Sequence, residues 1–285
     1  MPSLKEVKLK ITGVKKTAQI TKAMNMVAAA KLRGAQEKME AFRPYAGKFA
    51  ETMQAVSSGM TGKFPLMEQR PVKKVELVIF TSDRGLCGSF NSNIIKRAAQ
   101  LAKECAAAGQ EVSYVCVGKK AAQAMKKTGA VRASYAGIMG HVTMHDARDI
   151  AKNVADYFLS GAVDRVELVY SRFQSIVVQT PTVAPLLPVQ PVENAPKKAS
   201  GTYECEPSQE DVVETLQPLY LNVQVYHAML EVSTCENAAR MTAMDNATSA
   251  CKDIVNNLTV LYNKARQAAV TNELMDIVGG AEALK

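Results

Sequence analysis

The sequence has 285 residues, 47% of them hydrophobic, which is enough for one large domain or two small ones with a sizeable core and excludes an intrinsically disordered chain. No run approaches the roughly 20 consecutive apolar residues that span a bilayer, and Met1 to Lys10 carries charges where a signal peptide needs an apolar stretch, so a soluble cytosolic chain is expected. The formal charge of +8 comes from one end: residues 1–50 hold eleven Lys and Arg against three Glu, whereas the remainder balances at 24 basic against 24 acidic. A basic arm this concentrated points to nucleic acid, a membrane surface or an acidic protein face. From residue 210 onward ten acids face five bases, so the two chain ends carry opposite charge. The six cysteines include no Cys-x-x-Cys pair and fit buried thiols better than disulfides or zinc. Six per cent aromatic residues and no tryptophan leave little for stacking on bases.

Taken in chain order, the first element is a long helix. Alternating steps of three and four from Leu4 visit Leu4, Val7, Ile11, Val14, Ala18, Thr21, Asn25, Ala28, Leu32, Ala35, Met39, Phe42, Ala46, Phe49, Met53 and Val56, and fourteen of these sixteen are apolar. A heptad seam sustained that far predicts a coiled-coil helix over residues 1–60. Ser3 with Glu6 forms a capping box at its start. At about 1.5 Å per residue the rod is roughly 80 Å long, and Pro44 should bend it.

Residues 72–187 have a different character. Val75–Thr81 is an uninterrupted apolar run that reads as a buried strand, followed by a glycine turn and a helix over Ser92–Ala108. Strands at Val112–Val117 and Val131–Tyr135, helices at Lys119–Thr128 and His145–Ser160, and paired strands at Val163–Tyr170 and Ile176–Leu186 complete a small Rossmann-like α/β domain with a largely parallel sheet. Residues 188–209, with Pro191 and Pro196, form a loop that returns to the last element. A second coiled-coil helix is expected over residues 210–285. Its seam runs through Met244, Ala247, Cys251, Ile254, Leu258, Leu261, Ala265 and Ala268, shifts near Asn237 and Arg240, and ends at Gly279 and Gly280. Neither rod can bury its stripe alone. The fold class is therefore an α/β domain inserted between N- and C-terminal helices that pack as a long antiparallel coiled coil.

Catalytic equipment is sparse. The turn Ser82–Ser89 lies where an α/β sheet cradles phosphate, but it has neither G-x-x-x-x-G-K-[ST] nor G-x-G-x-x-G, and a tight turn held by Asp83 and Arg84 that meets a partner fits better. His141 and His145, four apart, are weak metal ligands without a third group, and no Ser-His-Asp or Cys-His set has suitable spacing. No catalytic residue, cofactor or metal is expected. The rods themselves are then the functional parts, and the densest polar pattern on the second one runs from Asn263 to Glu273.

Several dispersed stretches together resemble the γ subunits of F-type ATP synthases. They are Ile20–Met24 with Met26–Ala29, then Ser82–Gly88 with Phe90 and Asn91, then Glu236, Ala238–Met241, Ala243, Met244 and Ala247, and finally Asn263–Ala268 with Thr271, Glu273 and Leu274. The resemblance covers nearly the whole chain. It implies a non-catalytic rotor subunit at the cytoplasmic face of a bacterial membrane, present once per complex. Its coiled coil would thread an α3β3 hexamer, and its α/β domain would grip the ε subunit and stand on the membrane c-ring. It implies that Arg266, Gln267, Thr271 and Glu273 meet β-subunit loops, that Lys22 and Met24 pass the acidic lever of β, and that Tyr203 lies near ε and the c-ring. Asn25 and Asn272 depart from the family's usual Glu and Gln, so no contact rests on them. The rival readings are a basic coiled-coil binder of nucleic acid or membrane surfaces, and a nucleotide-dependent α/β enzyme.

Overall fold

A computed structural model describes residues 3–57, 64–189, 206 and 208–282. The chain forms two compact units, residues 1–28 with 241–285 and residues 29–240.

In the larger unit a five-stranded sheet has the order β3-β2-β1-β4-β5. The strands are β1 (Lys74–Phe80), β2 (Glu111–Val117), β3 (Val131–Tyr135), β4 (Arg165–Phe173) and β5 (Gln179–Leu187). β1 pairs in parallel with β2 and β4, β2 with β3 likewise, and β5 returns antiparallel along β4. The central position of β1 explains its sequence: a strand covered on both faces and flanked on both edges has no solvent side, and Val75 to Phe80 are all buried. The cost is Glu76, fully buried in that run. Arg132 of β3 meets its carboxylate with two guanidinium nitrogens, Nη2 at 3.0 Å from Oε2, also binds Asn153 Oδ1 at 2.8 Å, and stacks 4.1 Å over the Tyr157 ring.

Helices α2 (Phe90–Ala107), α3 (Lys119–Met125) and α4 (Met144–Leu159) connect the parallel strands. α2 buries Phe90, Ile94, Ala98, Leu101 and Cys105, and α4 buries Ala147, Ile150, Ala151, Val154 and Phe158, each a stripe at helical spacing. Thr143 caps α4 through the Asp146 amide. The stretch expected as one helix at Lys119–Thr128 tightens into a 3₁₀ turn after Met125 and ends at Gly129, whose φ of 71° suits glycine. β4 runs to Phe173, three residues past the expected end, and β5 starts at Gln179 rather than Ile176 because Gln174–Val178 form the hairpin turn.

The long helices are α1 (Leu4–Ser57) and α5 (Gln209–Glu282). Ser3 and Glu6 exchange hydrogen bonds of 3.2 and 3.3 Å, the expected capping box. Pro44 sits inside α1 without ending it, and α5 continues through Gly279 and Gly280 instead of stopping there, since two glycines weaken a helix by about 1 kcal/mol each without forbidding it. In the larger unit α5 shows no exposed residue from Leu221 to Arg240. It lies against the end of β4, where Cys235 Sγ donates to Ser171 O at 3.4 Å, while Phe42 of α1 meets Tyr226 edge-on at 4.8 Å on another face.

In the smaller unit the two helices run antiparallel. Thr21 lies against Thr248 and Asn25 against Met241, so numbers rise on one helix as they fall on the other. All sixteen seam positions of α1, from Leu4 to Val56, are shielded from solvent to some degree. The seam of α5 differs from expectation: Cys251, Val255, Leu258, Tyr262, Ala265 and Ala269 are half-buried, whereas Ile254 and Leu261 are exposed. Three of the eight expected positions, Ile254, Leu261 and Ala268, therefore shift by one residue.

Candidate partner-binding surfaces

The loop after β1 lies where the sheet order reverses, the usual ligand crevice of an open α/β sheet. Here the chain fills it. Asp83 accepts from three backbone N–H groups, those of Lys119 at 3.1 Å, Gly137 at 2.8 Å and Met139 at 3.0 Å. These amides are the donors that a phosphate would otherwise take, and a fixed carboxylate holds them. Thr81 makes the approach tighter still: a Cβ on Gly118, whose φ is 98°, would stand 2.2 Å from Thr81 O. Ser82 and Asn91 lock the turn's base, Ser82 N donating to Asn91 Oδ1 at 3.0 Å. The loop is thus rigid, and its exposed side presents Arg84 and Leu86, the latter 65% exposed at a φ of 62°.

Beside the loop is a polar cavity of about 270 Å³ whose lining includes Lys31, Arg84, Lys119, Glu236 and Arg240. Arg240 Nη2 bridges Glu236 Oε1 at 2.7 Å and Gly85 O at 3.2 Å, tying α5 to the loop. Burial pushes the Glu236 carboxyl above its ordinary range, with Arg240 pulling against it. Burial likewise raises the Cys87 thiol, so this cysteine is a packing group and not a ready nucleophile. His141 precedes α4 and does not share its face with His145, which pairs instead with Asp149 at 3.6 Å.

The other sequence-derived residues lie in the smaller unit. Lys22 is exposed and Met24 half-buried on α1, beside exposed Ile20, Met26 and Val27. Arg266, Gln267, Thr271 and Glu273 are all exposed on α5. They do not form one site with Lys22 and Met24: Thr21 faces Thr248, and Arg266 lies about 27 Å further along α5 at 1.5 Å per residue. The same antiparallel register places Leu4, the first residue of α1, opposite residues 262–265, so among the described residues the end of α5 beyond about residue 270 is unaccompanied. Every residue from 270 to 280 is exposed, among them Val270, Leu274, Met275, Ile277 and Val278. Exposed apolar residues grouped on an unaccompanied helix mark a surface that another protein covers. Tyr203 lies outside the described residues.

Sequence reasoning passed over two polar positions. Asn25, set aside as a departure, donates from Nδ2 to Met241 O at 2.8 Å, and Thr21 meets Thr248 at 2.7 Å. They are the two non-apolar members of an otherwise apolar seam, which was the available signal. It also missed Glu231, an isolated acid between Leu230 and Val232 that is fully buried.

A family model described as ATP synthase matches residues 3–284. The ATP synthase gamma chain of Desulfotalea psychrophila is 62% identical over 290 residues, and that of Desulfosudis oleivorans 50% over 297, each alignment covering 100% of both chains. Among solved structures, the central stalk and c-ring of Tetrahymena thermophila mitochondrial ATP synthase contains a chain 29% identical with a TM-score of 0.62, covering 80% of this chain and 99% of that one. A chain of the Euglena gracilis mitochondrial ATP synthase, 20% identical, has the same fold with a TM-score of 0.71, covering 99% and 94%. The similarity takes in the basic N-terminal arm, which leaves the nucleic-acid reading of that arm without support. With full-length identity this high and a sheet whose ligand crevice is filled by its own carboxylate, the chain belongs to the ATP synthase gamma chain family.

Proposed function

We propose that the chain is the central-stalk rotor of an F-type ATP synthase, a non-catalytic subunit that carries rotation of a membrane c-ring into conformational change in the β subunits of an α3β3 hexamer. One copy per complex stands at the cytoplasmic face of a bacterial membrane and reaches the lipid only through the c-ring. The observation that carries this reading is the unaccompanied end of α5, with its exposed apolar residues at 270–278 next to Arg266 and Gln267. Such an end suits a bearing: apolar contacts are non-directional and let a shaft turn, whereas a few charged contacts fix preferred angles. Arg266, Gln267, Thr271 and Glu273 meet β-subunit loops, Lys22 and Met24 pass the acidic lever of β, Arg84 beside the Asp83-pinned turn meets a neighbouring subunit, and Tyr203 lies near ε and the c-ring.

Each translocated charge releases about 2.3 kcal/mol per 100 mV, so the energy of several charges has to accumulate in one mechanical element before a demanding synthesis is driven. Two unequal helices give that element a different face at every angle, and each β site responds through differential contacts. A hydrogen bond to a charged group contributes about 1.5 to 3 kcal/mol. Arg266→Ala with Gln267→Ala in the assembled complex should therefore lower coupled ATP synthesis at least threefold while the subunit stoichiometry stays native. Synthesis at the native rate by that double variant would count against the assigned contact.

A further inference from the structure

We infer that Glu231 closes a hydrogen-bonded ring that serves as the torque-bearing joint between the sheet and the two helices of the larger unit. Three segments meet at it. Phe173, the last residue of β4, donates its N–H to Glu231 Oε2 at 2.7 Å, and its carbonyl accepts from Arg43 Nη2 at 2.8 Å. Arg43 completes the ring by donating to Glu231 Oε1 from Nε at 3.0 Å and from Nη2 at 2.8 Å. One residue at the end of the sheet strand is thus held through both of its backbone polar groups, by α5 through its nitrogen and by α1 through its oxygen. His227, one turn before Glu231, stands 3.4 Å from the same Oε1. One turn after, Cys235 donates to Ser171 O, so α5 is tied to β4 at two levels.

Stability alone does not explain the ring. Glu231 is completely buried, and a buried ion pair is commonly no better for stability than well-packed apolar side chains of the same volume. What apolar packing lacks is direction. Packed helices slide past one another by small shear at little cost, whereas hydrogen bonds weaken steeply once distance and angle leave a narrow range. A ring of four such bonds across three segments resists exactly the relative sliding that a twisting load imposes. The inference rests on the rotor reading above, in which torque passes between the α/β body and the helix pair; in this role Arg43 and Glu231 are positioning residues.

The test uses the complete ATP synthase carrying Arg43→Met with Glu231→Leu, which removes both charges together and so leaves neither buried alone. In inverted membrane vesicles, ATP hydrolysis without a gradient should stay within about twofold of native, while ATP-driven ion pumping against an established gradient falls at least threefold. A native ratio of pumping to hydrolysis in fully assembled complexes would overturn the joint. If that variant is not incorporated, Arg43→Lys decides: it keeps a cation on Glu231, but a single ammonium does not reproduce the guanidinium fork between Glu231 and the Phe173 carbonyl. Its ratio should fall about twofold, and a native ratio again overturns the inference. Failure of native complexes themselves to pump on hydrolysis when this chain is present would instead tell against the rotor reading.

Discussion

Thr21 and Thr248 meet hydroxyl to hydroxyl at 2.7 Å across the antiparallel helices of the smaller unit, one turn from the bond that Asn25 makes to Met241 O. Thr248 also donates to Met244 O at 2.7 Å, so its hydroxyl keeps a partner when Thr21 is replaced. Polar residues in an apolar seam fix register, because sliding the helices leaves them without partners. Thr21→Val and Asn25→Ala should each lower the free energy of urea unfolding by about 1 kcal/mol. The two positions are close enough that the double variant should deviate from additivity. A rise in stability for both single variants would show that the seam gains nothing from these bonds.

Glu231 and Glu236 lie within two turns of α5 and respond to pH with opposite sign. Burial pushes Glu231 up, but His227, the Phe173 amide and Arg43 outweigh it and hold the carboxyl below its ordinary value of 4.5. Its contribution to stability is present above that value and is lost as pH falls through the lower folded value. Burial dominates at Glu236 and raises it, so that carboxyl costs stability as pH rises from 4.5 through the higher folded value. Thermal midpoints followed from acid to neutral pH should therefore rise less steeply in Glu231→Gln than in the native chain, and more steeply in Glu236→Gln. Parallel profiles for all three proteins would contradict both assignments.

Asp83 concerns the filled crevice. Removing its carboxylate strands three amide donors that now have one acceptor group among them. Asp83→Ala should cost about 1.5 to 3 kcal/mol, the range for hydrogen bonds to a charged group, because only the Met139 amide is shielded while those of Lys119 and Gly137 lie near solvent. Because the donors remain aimed at the vacated position, added acetate should recover part of the loss in the variant and leave the native chain unchanged. Equal responses of variant and native protein to acetate would show that the loop rearranges instead of holding an open position.

How much of this was legible in the sequence depends on whether the signal was local. The seam of α1 could be read position by position, because only one stripe of that helix is apolar throughout. On α5 two stripes compete: Ile254, Leu261 and Ala268 are as apolar as Val255, Tyr262 and Ala269, and only the partner helix selects the second set. The strand β1 was visible as an unbroken apolar run, but the acids buried within apolar runs, Glu76 and Glu231, find their arginines 56 and 188 residues away, and spacing carries no trace of that. The glycine turn after β1 announced itself by composition, whereas the three amides that Asp83 gathers come from the first residue of α3 and from the loop after β3.

β5 is an edge strand, with no strand beyond it among the described residues, and it carries Pro181 and Pro185. They pair with Ser171 and Glu167, an even spacing along an antiparallel ladder, so both occupy positions of the same orientation. The ladder to β4 stays in register between them, which places the two missing N–H groups on the open side. An edge with fewer outward donors is a poor template for another strand. Pro181→Thr with Pro185→Thr restores those donors and adds β-branched side chains that favour strands. The double variant should fold with the native circular dichroism spectrum yet aggregate several-fold faster on mild heating, as followed by light scattering. An unchanged aggregation rate would mean that the prolines serve the path of the strand and not the protection of its edge.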